Sequence, residues 1–365
     1  MATKEEVLSA LRGVDDPELG RSLLDLGMIR EVKVEGEVVY VELALTTGAC
    51  PLKEHLESEV RRAVSSLPGV KKVLVRRSVM TEEEKQRLLE IPSPSARILS
   101  PDSPTSVIAV ASGKGGVGKS TVTANLGLAL AREGHSVGLL DADIYGFSLH
   151  RLLGAEGQPE VREGALHPLE VRGMKVMSMG FLVPEDTPLI WRGPMLSGAL
   201  TQFLRDVEWG DPDFLLVDLP PGTGDVPLTL AQRLPAARVL LVTTPEPLAV
   251  SVASRAAHFA RKLGQEILGV VENMSHLRCP ECGRVLHPLG QGGGDSLAGA
   301  LGVPVLARVP MLPSPPEGPV VEAHPESEPA LAFRQLAREL VERLKKPLAE
   351  KELTRLGAAT DRGQG

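Results

Sequence analysis

One stretch limits the fold of this 365-residue chain more than any other. An apolar run, Val107 to Ala111, leads at once into Gly113-Lys114-Gly115-Gly116-Val117-Gly118-Lys119-Ser120-Thr121, and a helical pattern follows as far as Gly134. A strand that feeds a glycine loop and then a helix presents backbone N–H groups and the positive end of the helix to an anion. The glycines let the backbone wrap a phosphate, Lys119 reaches the terminal phosphates, and Ser120 is placed to ligate Mg2+.

The same glycines also satisfy the spacing of a dinucleotide loop, with Asp141 standing 23 residues after Gly118 where a ribose-binding acid would be. Two features favour phosphate hydrolysis over that rival. A dinucleotide site has no need of Lys119-Ser120, and a second apolar run, DFLLVDLPPGTGD, ends in Asp218. An acid at the end of such a strand is where a P-loop enzyme holds Mg2+ through water.

Short apolar runs bounded by turn signals recur beyond the loop, at Val137 to Leu140, Phe214 to Val217, Val239 to Val242 and Ile267 to Val271. They read as buried parallel strands, and helical stretches separate them. The expected fold class is α/β: a P-loop NTPase with a mostly parallel doubly wound sheet, preceded by a small α+β domain. Residues 1–80 form that first domain, with helical patterns at EEVLSALRGV and Pro51 to Leu67 and strand patterns at Ile29 to Val34, Glu37 to Leu45 and Val70 to Val75. Residues 81–106 read as a helical segment and a Pro/Ser-rich linker, 107–345 as the ATPase domain, and 346–365 as a flexible charged tail.

A net charge of -7 gives no global attraction to nucleic acid or anionic lipid, so neither is expected as a partner. The opening MATKEEVLSA has no apolar signal core and no run of 18 apolar residues occurs, which points to the cytoplasm. Three cysteines are too few for a disulfide framework. Two of them form Cys279-Pro280-Glu281-Cys282, a spacing that turns two thiolates toward one metal. Four thiolate ligands would most simply come from two chains meeting near a two-fold axis. His276 and His287 flank the pair and offer a Cys2His2 zinc site within one chain; a redox pair and a plain thiol loop are further readings.

The string GKGGVGKST resembles the deviant Walker A motif of the MinD/ParA class of ATPases. The resemblance implies that Lys114 contacts nucleotide across a dimer, that Asp143 in LLDADIYG positions the attacking water, that Asp141 supports the Mg2+ region, and that Asn273 in VENMS contacts adenine. Together with WRGPMLSGALTQFLRDVEWGDPDFLLVDLPPGTGD, VENMSHLRCPECG and the glycine run Gly290 to Gly294, the motifs resemble the Mrp/ApbC iron-sulfur carrier ATPases over about Val107 to Arg308. That implies a homodimer in which Cys279 and Cys282 of two protomers hold a 4Fe-4S cluster, taken from a donor and passed to apo-proteins. Asp15-Asp16-Pro17-Glu18, the run from Ser22 to Ile29 and Thr46-Thr47-Gly48-Ala49-Cys50-Pro51 resemble the SufT-like domain of iron-sulfur assembly proteins over residues 4 to 77, with Cys50 a candidate transfer thiol ahead of a helix. The reading is an ATP-hydrolysing cluster carrier using ATP and Mg2+; the alternatives are a MinD/ParA-like switch ATPase with a structural zinc knuckle and a scaffold that binds nucleotide without turnover.

Overall fold

The structure is a computed structural model that describes residues 2–16, 21–45, 53–81, 84, 96–100, 102–144, 146–162, 165–181, 193–314 and 316–345. The chain divides into two compact units: Met1–Ser95 with Val161–Leu166, and Ala96–Glu160 with His167–Gly365.

The first unit opens with helix α1 (Lys4–Leu11), whose start is closed by reciprocal hydrogen bonds between Thr3 and Glu6. Strands β1 (Ile29–Glu35) and β2 (Val38–Leu45) form an antiparallel hairpin around Gly36, which takes φ 63° there. Helix α2 (Lys53–Ser65) crosses over to β3 (Lys72–Val79), which pairs parallel with β2. The last strand runs four residues beyond the Val70 to Val75 pattern, because Met80 and Leu45 close the ladder at its far end. Val7, Leu11, Val39, Val41, Leu43, Leu56, Val60 and Val64 make a core of their own. Cys50 lies outside the described residues.

The second unit is built on β4 (Ser106–Ser112), α3 (Lys119–Arg132), β5 (Val137–Asp141), β6 (Leu169–Val171), β7 (Met174–Ser178), α4 (Gly193–Asp206) and β8 (Phe214–Asp218). It continues through α5 (Asp225–Arg233), β9 (Arg238–Thr243), α6 (Pro247–Lys262), β10 (Ile267–Arg278), β11 (Val285–Leu286), α7 (Gly293–Leu301), β12 (Val305–Met311) and α8 (Glu328–Lys345). Among the described residues the sheet has nine strands in the order β6-β7-β5-β8-β4-β9-β10-β11, with β12 also on β10. Only the β6–β7 and β10–β11 pairs are antiparallel. Helices cover the central strands, so β5 and β8 are buried at every residue and read as continuous apolar runs.

The chain steps outward from β4 to one side, then returns to fill the other, so the strand order reverses around β4. Ligands of open α/β sheets bind outside the carboxyl ends of the strands at such a point. The register places the functional candidates there: Asp218 pairs with Asp141 on one side and Val110 on the other, two residues before the strand ends at Ser112.

Candidate nucleotide and cysteine sites

Gly118 begins α3 in the left-handed conformation at φ 81°, and a side chain there would bring its Cβ to 2.2 Å from Asn273 Nδ2. Asn273 closes over the loop from β10, its Nδ2 donating to the Val117 carbonyl at 2.9 Å. At the other end of the loop, a Cβ on Gly113 would lie 2.1 Å from the backbone of Val252 in α6. The glycines at 113 and 118 are thus required by close approach, whereas Gly116, also at φ 81°, faces open space.

Lys119 is buried, and its Nζ stands 2.7 Å from Asp218 Oδ2. Ser120 Oγ donates to the same oxygen at 2.5 Å, and Thr123 Oγ1 donates to Oδ1 at 2.8 Å. A carboxylate with no solvent exposure is held by one cation and two hydroxyls, which is what a charge at this depth needs. Thr123 was not singled out from the sequence, although it lies four residues after Lys119 and so on the same helix face.

Asp141 is fully buried beside Asp218. Burial first, and then the neighbouring Asp218, push its pKa up to about 7, against the N–H groups of Leu149 and Ser148 and the charge of Lys119. Its Oδ1 accepts from the Asp143 N–H, and its Oδ2 from Ser148 N–H, Leu149 N–H and Ser178 Oγ. With both oxygens taken, Asp141 anchors the loop that carries Asp143. Asp143 is half-buried; burial raises its pKa, Lys119 opposes, and Asp218 adds to the rise. Lys114 lies half-exposed, its Nζ 3.2 Å from Glu246 Oε2 at the start of α6.

The cysteines sit past the end of β10. That strand is longer than its apolar core, running from Ile267 to Arg278, and turns back through Cys279–Arg284 into β11, which pairs Leu277 with Leu286 and Arg278 with Val285. Two backbone bonds close the turn, Cys279 N–H to Arg284 O and Gly283 N–H to Cys279 O, both 2.9 Å. The N–H groups of Cys282 and Glu281 aim at the Cys279 sulfur and, with the Cys282 thiol, lower its pKa. Both cysteines are free thiols at the surface. His276 and His287 are engaged elsewhere: His276 contacts Ser275 Oγ and Glu328 Oε1, and His287 Nδ1 contacts the Ser275 carbonyl. Among the described residues no three His, Cys, Asp or Glu side chains gather as a metal site within one chain, and no helix is long and apolar enough to cross a membrane.

Comparison with known proteins agrees with both halves. Residues 103–341 match the model of the NUBPL iron-transfer P-loop NTPases, and residues 4–75 match an iron-sulfur cluster assembly domain. An iron-sulfur cluster carrier protein of Synechocystis is 43% identical over 93% of this chain and 97% of its own length. One from Deinococcus radiodurans is 42% identical over 92% of this chain and 94% of its own. A nucleotide-binding protein from Archaeoglobus fulgidus, solved in complex with ADP and with cobalt found in it, is similar in structure with a TM-score of 0.50 and 37% identity, covering 64% of this chain and 86% of that one.

Proposed function

The chain belongs to the iron-transfer P-loop NTPase family of iron-sulfur cluster carriers, and from that premise we propose that it works as an ATP-hydrolysing homodimer holding a 4Fe-4S cluster between Cys279 and Cys282 of two protomers. In this reading the cluster is cargo, received from a donor and released to apo-proteins.

The observation that carries the proposal is the geometry of β10. One strand bears Asn273, whose amide holds the nucleotide loop at Val117, and past its end at Arg278, six residues after Asn273, comes Cys279 of the thiol hairpin. A chemical event at the loop and a change at the hairpin therefore share a backbone.

At the loop, the N–H groups of residues 113–121 and the start of α3 bind the phosphates of ATP, and Lys119 draws charge from the terminal phosphoryl group. Ser120 and Asp218 offer a hydroxyl and a carboxylate side by side, a hard oxygen set that suits Mg2+. When bound, that ion neutralises negative charge on the phosphate oxygens. Asp143 orients the attacking water, Asn273 borders the adenine, and Lys114 leaves Glu246 to reach the partner protomer's nucleotide. Cys50 is assigned to handover: Cys50→Ser should slow transfer to an acceptor and leave the cluster content unchanged.

Anaerobic reconstitution with iron and sulfide, followed by metal, sulfide and mass analysis, tests the proposal. About four iron and four sulfide per dimer are expected, lost in Cys279→Ala and in Cys282→Ala. One tightly held zinc per chain, with no sulfide, would replace the carrier reading by a switch ATPase with a zinc knuckle.

A further inference from the structure

The strand that leads into the hairpin of Cys279 and Cys282 is interrupted before it reaches the thiols. Met274 takes φ 56°, a conformation rare for a residue with an unbranched side chain in a strand. The pairing of β10 with β12 loses register between Asn273 and Leu277. A strand interrupted in this way bends, and beyond the break the ladder with β12 resumes only at Leu277 with Met311, so side-chain contacts add to what orients the segment. Two of those contacts meet on one carboxylate. Glu328 Oε1 lies 3.1 Å from His276 Nε2, Glu328 Oε2 accepts from Arg278 Nε at 3.3 Å, and Arg278 Nη1 donates to the Gly283 carbonyl inside the hairpin at 3.2 Å.

Glu328 is also the first residue of α8. That helix packs along α3, the helix that begins at the nucleotide loop: Phe333, Leu336, Ala337 and Leu340 share a core with Val122, Leu126 and Leu130. Farther along the same helix pair, Arg338 donates to Glu133 at 2.8 and 3.0 Å. The helix that begins at the nucleotide loop and the hairpin that bears the thiols are thus joined through α8 and its Glu328 as well as through β10.

We propose that Glu328 is a positioning residue: it fixes the cysteine hairpin against α8 and passes to it the position of α3. This rests on Cys279 and Cys282 being the cluster thiols. A lone exposed ion pair has little effect on a structure, but a carboxylate shared by two partners flanking a broken ladder sets an orientation. The αL residue and the bulge supply the freedom, and Glu328 chooses within it.

The test is hydrogen exchange of the full-length chain, read at the peptide covering 275–286, with and without a non-hydrolysable ATP analogue and Mg2+. In the wild type, nucleotide should change exchange of this peptide. In Glu328→Ala the peptide should exchange roughly threefold to fivefold faster and no longer respond to nucleotide, while exchange in α3 stays as in the wild type. Glu328→Gln should restore part of the response, since its amide oxygen still accepts from Arg278. Arg278→Gln, which breaks the tie from the hairpin side, should match Glu328→Ala. A wild-type hairpin blind to nucleotide, a full response in Glu328→Ala, or loosening that spreads through α3 in both variants would each overturn the proposal. Exchange is read without iron, so the outcomes separate. Failure to bind iron and sulfide sinks the carrier reading alone, and a cluster that binds while the hairpin response ignores Glu328 sinks this one alone.

Discussion

Lys119 and Asp218 form a buried ion pair, Nζ to Oδ2 at 2.7 Å, between the first residue of the loop helix and the last residue of a central strand. The two are ninety-nine positions apart in the chain and both are buried. Removing one partner leaves the other charge uncompensated at depth. Lys119→Met should therefore reduce ATP turnover by about 100-fold or more and, separately, lower stability by about 3–5 kcal/mol in urea unfolding. The double variant Lys119→Met with Asp218→Asn should recover part of that stability and none of the turnover. Equal stability losses in the single and double variants would show that the pair is not coupled as its distance indicates.

The two kinds of glycine in the loop should separate by cost. Gly116→Ala meets no atom and bears only the left-handed backbone, about 1–2 kcal/mol. Gly113→Ala has no such backbone penalty, yet its Cβ would stand 2.1 Å from Val252 backbone, so α6 or the loop must shift. We expect Gly113→Ala to show the larger fall in Tm and the larger loss of nucleotide affinity. The reverse order would mean that α6 yields easily.

The nucleotide loop was legible in the sequence because everything it needs is contiguous: strand, glycines, lysine and helix occupy a single stretch, Ser106 to Arg132. The acids at 141 and 218 were legible for a related reason, since each ends an apolar run, and only their side-by-side register needed the structure. Other features were hidden by short or mixed patterns. The β6–β7 hairpin has strands of three and five residues around Arg172 and Gly173, and β12 carries Pro310, which masks a strand on the outer side of β10. The polar end of β10, SHLR, is a strand only because β11 and β12 pair with it. Thr123, Ser178, Glu246 and Glu328 act through partners distant in sequence, and of these only Thr123 stands at a spacing that could have exposed it.

Asp141 gives the protein a pH dependence of unusual sign. Its pKa is raised from 3.8 unfolded to about 7 folded, so the folded state binds a proton that the unfolded state has lost. The sign of the linkage follows: the contribution is fully present below about pH 4 and is lost as pH rises through about 7. Because Asp141 and Asp218 lie side by side, the proton belongs to the pair. Across pH 5 to 8, Tm of the wild type relative to Asp141→Asn should fall as pH rises, by the equivalent of a few kcal/mol at most. A difference that stays flat across this window would show that Asp141 is ionised throughout.

Cys279 owes its lowered pKa first to the backbone N–H groups of Cys282 and Glu281, and only then to the Cys282 thiol. Backbone donors remain when a side chain is replaced. Alkylation of Cys279 by iodoacetamide, followed by peptide mass analysis across pH 6 to 10 in the iron-free chain, should have its midpoint below that of an ordinary thiol. The same low midpoint should persist in Cys282→Ser, because the turn is closed by Gly283 N–H to Cys279 O and by Cys279 N–H to Arg284 O, not by the second sulfur. Breaking the turn has the opposite consequence. Gly283 sits at φ 70°, so Gly283→Val should strain the hairpin and return the Cys279 midpoint toward the ordinary value. If Cys282→Ser alone raised the midpoint to that value, the sulfur and not the backbone would be what holds the thiolate ready for a metal.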